Sequence, residues 1–85
     1  MENLRKKINK VDKKIAKLLI KRFTIVKQIG IYKKNNNIQV YDKNREELVL
    51  KKIRSFVNNK LPPNSIENIY TTIMNEAKKI QLENK

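Results

Sequence analysis

Residues 4–32, LRKKINKVDKKIAKLLIKRFTIVKQIGIY, hold the strongest periodic signal in the chain. Side chains recur there at alternating spacings of four and three residues, the pattern of a helical heptad seam. The seam consists of Leu4, Ile8, Val11, Ile15, Leu18, Arg22, Ile25, Ile29 and Tyr32. We predict one helix over about residues 3–34, roughly 45 Å long. A helix of that length extends beyond the core that a single short chain can form. The seam therefore predicts a partner chain along its length.

Two shorter helices are predicted after the asparagine run 35–37. Asp42 is the expected N-cap of a helix over about residues 43–58. The apolar stripe of this helix consists of Leu50, Ile53 and Val57, with Glu46 in line and Val49 and Phe56 beside it. Pro62-Pro63 predicts the start of a third helix, with a proline at the first helical position, ending near residue 82.

No segment alternates apolar and polar residues with the period of two that is typical of strands. The apolar stripe of the third helix consists of Ile66, Tyr70, Ile73, Ala77 and Ile80 or Gln81. The predicted fold class is therefore all-α, with three helices, the N-terminal one very long, and one domain over residues 1–85.

The composition restricts the possible chemistry. The 85 residues include no His and no Cys, which excludes Ser-His-Asp and Cys-His catalysis and His- or Cys-based zinc sites. We expect no metal and no cofactor. No run approaches the roughly 20 apolar residues of a membrane span. The segment Met1-Glu2-Asn3-Leu4-Arg5 has no apolar signal-peptide core, so we expect a cytoplasmic location without a membrane partner.

The formal charge of +13 indicates an anionic ligand or partner. Most cations are Lys, so the few arginines are candidates for positions that need a planar bidentate donor. Arg22 lies in the apolar seam, where it either sets the register or binds a buried anion. Lys33 follows about three turns later on nearly the same face, about 16 Å along the axis. The two side chains could hold one small dianion between them.

Four further residues have two readings each. Glu46 is either an acid favoured by the helix dipole or an acceptor for a ligand hydroxyl. Gln81 is either solvated near the C-terminus or a buried amide that needs partners. Gly30 indicates either close helix approach or room for a ligand. Arg5, if it is not simply solvated, is about 25 Å from Arg22 along one helix, so it could reach such a ligand only in a second subunit.

Taken in order, these segments resemble the all-α chorismate mutases over nearly the whole chain. The resemblance is carried by Leu4-Arg5-Lys6-Lys7-Ile8, Val11-Asp12, Ile15, Leu18-Leu19, Arg22, Ile29-Gly30, Lys33, Asp42-Lys43-Asn44-Arg45-Glu46 and Gln81. It implies an intertwined antiparallel homodimer with two equivalent sites. The implied activity is the [3,3] rearrangement of chorismate to prephenate in the biosynthesis of Phe and Tyr.

The resemblance also implies roles for the matching residues. Arg22 and Arg5 of the partner subunit would bind the two substrate carboxylates. Lys33 would bind a carboxylate and the ether oxygen, to which Gln81 would also donate. The remaining implied contacts are to the ring hydroxyl, from Glu46 and the Asp42 backbone, with Arg45 in a supporting role. Ala77 stands where the family often has Ser, so one hydroxyl contact to a carboxylate would be absent.

Other functions compete with this interpretation. Isochorismate-pyruvate lyases use the same scaffold, but the acid at Glu46 favours the mutase. A basic helical dimer could instead bind nucleic acid through phosphate neutralisation. The lysines are spread over all three helices and only 6% of the residues are aromatic, which disfavours that alternative. A regulatory or inactive homologue is a further alternative, against which the retained site residues argue.

Overall fold

The structure, a computed structural model, describes residues 1–62 and 64–83. It contains α1 (Glu2–Asn35), α2 (Lys43–Val57), a short 3-10 helix (Asn58–Lys60) and α3 (Ser65–Leu82). These described residues include no strand, so the predicted all-α class with a long first helix is confirmed. At 1.5 Å per residue, α1 is about 51 Å long, which accounts for the longest dimension of the molecule, 51 Å.

The helix ends follow local sequence signals, with one exception. Asp42 caps α2 as predicted, because its Oδ1 accepts a hydrogen bond of 3.0 Å from the backbone N–H of Arg45. α3 begins at Ser65, not at the proline pair, so the predicted start is wrong. A following proline disfavours α conformation at Pro62, which delays the helix. Pro63, the other candidate for the first helical position, lies outside the described residues.

The interior of the chain is small and lies where α1 packs against α3. Within residues 1–62 and 64–83, the buried apolar side chains are Val26, Met74 and Ala77, each 6% exposed. Gly30 is buried on the same side of α1 as Val26. It does not line the cavity described below, so close helix approach explains this glycine better than room for a ligand does.

α2 packs against α3, not against α1. Leu50, Ile53 and Val57 are half-buried, as the stripe predicts, whereas Phe56 is 77% exposed. Among the described residues, no helix is both long enough and apolar enough to cross a membrane.

Most of the predicted seam of α1 is uncovered within one chain. The side chains of Leu4, Ile8, Val11, Ile15 and Leu18 are between 47% and 64% exposed. The face of α1 that packs on α3 instead follows Val26 and Gly30, next to the seam but not along it. Exposing this much apolar surface is unfavourable in water. The fold therefore leaves half of α1 with an apolar stripe that nothing in the described part of the chain covers.

Candidate active site

A cavity of about 350 Å³ lies between the C-terminal half of α1, the start of α2 and the C-terminal half of α3. Its lining consists of Arg22, Val26, Ile29, Lys33, Val40, Asp42, Arg45, Glu46, Val49, Met74, Ala77, Lys78 and Gln81. The volume is at the small end of the range of ligand pockets, which suits a small metabolite. A mostly apolar wall with a few convergent polar groups is also typical of such sites.

The charged groups of the cavity favour an anionic ligand. The walls carry four cationic side chains and two carboxylates, so the formal charge is positive. The cations are Arg22, Lys33, Arg45 and Lys78, and the carboxylates are Asp42 and Glu46. In a cavity with apolar walls, charges interact more strongly than in bulk water. A small dianion would therefore be attracted and partly neutralised here.

Arg22 projects from α1 and has an unused donor. Its Nη1 is buried and has no hydrogen-bond partner within the described part of the chain. The guanidinium lies over the ring of Tyr70, 5.9 Å from its centroid, a contact that helps to orient the fork. A buried donor without a partner costs about 1–3 kcal/mol. A carboxylate in the cavity would remove that cost, so the arginine is arranged to bind an anion.

Lys33 lines the cavity about 16 Å from Arg22 along the axis of α1 and is half-buried. Its Nζ donates a hydrogen bond of 3.0 Å to the carbonyl oxygen of Val40, in the loop between α1 and α2. This bond fixes the ammonium group at the wall. Because an ammonium carries three donors, two remain for a ligand.

Glu46 is in the first turn of α2, and Asp42 supports its position. The backbone N–H of Glu46 donates to the carbonyl oxygen of Asp42, at 3.0 Å. The Glu46 carboxylate is half-buried, and its Oε2 lies 3.2 Å from Nζ of Lys78. The Asp42 carboxylate already has a partner as well, because it accepts from the backbone N–H of Arg45 as the helix cap. Asp42 and Glu46 form the part of the cavity wall that carries its carboxylates, the acceptor end of the cavity.

Gln81 and Ala77 come from α3 and lie about one turn apart. Oε1 of Gln81 is buried and has no hydrogen-bond partner among residues 1–62 and 64–83. A buried amide oxygen without a partner can accept a hydrogen bond from a ligand, and the same amide turned by about 180° would present its NH₂ donor there. Ala77 is buried and lines the cavity, so no hydroxyl group is offered at that position.

The structure places six of the seven sequence-predicted site residues at this cavity and one outside it. Arg5 does not line it. Its side chain is 66% exposed, and its Nη1 lies 3.5 Å from Oε1 of Glu2. Arg45 lines the cavity but is largely exposed, so it lies at the rim.

The comparison with protein families bears directly on this arrangement. The model of the family described as chorismate mutase type II matches residues 4–82, a range that includes Arg5 and every residue of the cavity wall. The chain belongs to the chorismate mutase type II family. Neither the curated proteins nor the solved structures gave a match to it.

Lys78 is the polar residue of the cavity wall that the sequence does not single out. It is half-buried and lines the cavity beside Glu46. A usable signal was present, because Lys78 is three residues before Gln81 and four after Met74, which places all three on neighbouring faces of α3. Among so many lysines, a single one at such a spacing did not stand out.

The described residues of this family member contain no cluster of three or more His, Cys, Asp or Glu side chains that could hold a metal ion. The two cavity carboxylates have partners within the protein, the N-cap for Asp42 and Lys78 for Glu46. What the walls offer a ligand is therefore mainly hydrogen-bond donors and positive charge.

Proposed function

We propose that the protein is a chorismate mutase, which converts chorismate to prephenate by an intramolecular [3,3] rearrangement. The observation that carries the proposal is that Arg22, Lys33, Glu46 and Gln81 meet at one small cavity in a chain of this family. In the reaction a C–O bond breaks and a C–C bond forms. No proton is transferred and no covalent intermediate is needed, which fits a chain without His or Cys.

Binding of the dianion would begin with its carboxylates. Arg22 has a buried donor without a partner, so it can bind a carboxylate without first giving up a bond in the protein. Arg5 of the partner subunit would bind the other carboxylate. Fixing both ends would hold the substrate in the compact conformer that reacts. The entropy cost of this ordering is then met on binding and not during the rearrangement, which lowers the activation barrier.

The transition state would be stabilised at the ether oxygen, where negative charge grows as the C–O bond breaks. Lys33 is held at the wall by Val40 and keeps two donors for that oxygen or a carboxylate. The amide of Gln81 would donate to the same oxygen. Donors fixed before the reaction need little rearrangement, and removing one such donor commonly lowers kcat by about 10²–10³-fold.

The ring hydroxyl would lie at the acceptor end of the cavity. Glu46 would accept a hydrogen bond from it, and the Asp42 backbone would provide a second contact. Arg45, at the rim, would add positive charge near this end without a direct role in the reaction. These contacts orient the ring relative to the ether oxygen.

A second copy of the chain would complete the site. Arg5 is about 25 Å from Arg22 along α1, so it cannot reach the cavity of its own chain. Two α1 helices paired antiparallel would cover the exposed stripe from Leu4 to Leu18 and bring each Arg5 towards the opposite cavity. We therefore propose an intertwined homodimer with two equivalent sites. The biosynthetic role and the cytoplasmic location remain predictions.

The decisive experiment is an assay of the purified protein with chorismate, followed by identification of the product. We expect loss of chorismate with formation of prephenate, and little turnover by an Arg22→Ala control. A parallel assay with isochorismate tests the lyase alternative. Pyruvate release from isochorismate without consumption of chorismate would contradict the proposal in favour of the lyase.

A further inference from the structure

Lys78 makes two contacts that no role proposed above uses. Its Nζ lies 3.2 Å from Oε2 of Glu46 and 4.8 Å from the centroid of the Tyr41 ring. The side chains of Lys78 and Glu46 are 28% and 26% exposed, so the pair is partly shielded from water. Through these contacts α3 is joined to the first turn of α2 and to the loop that precedes it.

The pairing matters because the cavity offers Glu46 other cations. Arg22 and Lys33 line the same walls, and the donors that they offer are the ones a dianion would need. A long carboxylate side chain without a fixed partner can turn towards any nearby cation. If Glu46 turned towards Arg22 or Lys33, it would occupy donors that the substrate needs and withdraw its own acceptor from the ring hydroxyl.

We propose that Lys78 is a positioning residue that acts through Glu46, and this inference rests on the proposed function. Its ammonium group binds Oε2 and holds the carboxylate at the acceptor end of the cavity, which leaves Oε1 for the ring hydroxyl. The Tyr41 ring supports the ammonium group by a cation–π contact. Lys78 thus keeps the Glu46 carboxylate away from the donors of Arg22 and Lys33, which bind the substrate.

The test compares Lys78→Met, Lys78→Arg, Glu46→Gln and the double variant Glu46→Gln/Lys78→Met. Lys79→Met is the matched control, since Lys79 is adjacent on α3 and its Nζ pairs with Glu76 at 3.2 Å, away from the cavity. Each variant is assayed for kcat and KM with chorismate. Circular dichroism and the unfolding midpoint report whether each variant folds. If Lys78→Met does not fold, Lys78→Gln takes its place.

We expect Lys78→Met to lower kcat/KM by about tenfold, mainly through a higher KM, because the released Glu46 competes with the substrate carboxylate. Lys78→Arg should stay within about twofold of the wild type, since it keeps the charge. In the Glu46→Gln background, the Lys78→Met change should have less than about a twofold further effect. Lys79→Met should leave both constants unchanged.

Equal losses from Lys78→Met in the wild-type and Glu46→Gln backgrounds would overturn the inference, because Lys78 would then act on the substrate itself. A Lys78→Met enzyme with wild-type kcat and KM would overturn it as well. These outcomes need an active wild type and leave the proposed function intact. A wild-type protein that does not consume chorismate is a different result, which would overturn the proposed function and this inference together.

Discussion

Lys33 donates a hydrogen bond of 3.0 Å from its Nζ to the backbone carbonyl of Val40. The bond joins the last turn of α1 to the loop before α2, and both residues line the cavity. A lysine in this position is restrained without being neutralised, because the carbonyl is an uncharged acceptor. The full positive charge therefore remains available to a ligand, which is the property that the proposed mechanism needs.

Replacing Lys33 by Ala should lower kcat by about 10²-fold or more, because the growing charge on the ether oxygen would lose a fixed cationic donor. The measurement is steady-state turnover of chorismate. Lys34→Ala is the matched control, since Lys34 is adjacent on α1, is exposed and does not line the cavity. Near-normal turnover by Lys33→Ala would contradict the electrostatic role.

Arg22 should show opposite effects on activity and stability. Arg22→Met should lower kcat/KM by about 10²-fold or more, while the unfolding midpoint stays equal to or above that of the wild type. The reason is that a buried donor without a partner is removed along with the anion-binding fork. Arg22→Lys should not restore activity, because an ammonium group cannot bind a carboxylate with two parallel bonds. A clearly lower midpoint for Arg22→Met would show that Arg22 has a structural role.

Gln81→Glu should make the reaction depend on acid. A neutral amide donates at any pH, whereas a carboxyl group donates to the ether oxygen only when protonated, and the pKa of an ordinary Glu is about 4.3. We expect little activity at neutral pH and a rise towards acid pH, against a flat profile for the wild type. Parallel pH profiles for the two proteins would argue against a donor role for Gln81.

Local signals in the sequence predicted most of the helix ends, because a helix end depends on residues that are close together in the chain. The asparagine run after α1 and the cap at Asp42 depend on neighbouring residues alone. The predicted start of α3 is wrong because a proline disfavours the α conformation in the residue before it, here Pro62. Periodicity predicted a single seam on α1, but Val26 and Gly30 form a second, adjacent face that packs on α3. Only the position of another helix reveals such a face.

The candidate site could be predicted in part, since the resemblance supplied residues that the structure gathers at one cavity. The spacing of Lys78 from Gln81 is a weak signal among so many lysines, because the significance of Lys78 depends on its distance from Glu46 in another helix. Whether Arg5 reaches a cavity depends on a second subunit, which one chain does not contain. It follows from the length of α1 and the exposure of its seam, not from any contact within the monomer.

The seam should be sensitive to charge only if a second copy covers it. Ile15 is 50% exposed in one chain, so Ile15→Lys would be tolerated in a monomer but would bury a charge in the proposed dimer. We expect this variant to dissociate or unfold in sedimentation experiments. Ile20→Lys is the matched control, because Ile20 is 68% exposed and lies on the opposite side of α1. Equal behaviour of the two variants would contradict pairing along this seam.

The shared site predicts recovery of activity between two damaged chains. Arg5→Ala and Arg22→Ala homodimers should each be nearly inactive, since every site lacks one carboxylate-binding arginine. In a mixed dimer, one site has both arginines and the other has neither. After subunits are exchanged at equal amounts, about half of the dimers are mixed, so about a quarter of wild-type activity should return.

The two variants should be co-expressed with different affinity tags, because an intertwined dimer exchanges subunits slowly once folded. Purification over both tags isolates the mixed species, which should have about half the wild-type kcat with a normal KM. A double variant with both substitutions in one chain, paired with a wild-type chain, is the control. In that pairing each site lacks one arginine, so activity should stay low. High activity in the control and none in the mixed dimer would mean that Arg5 and Arg22 act within the same chain, which the length of α1 between them does not allow.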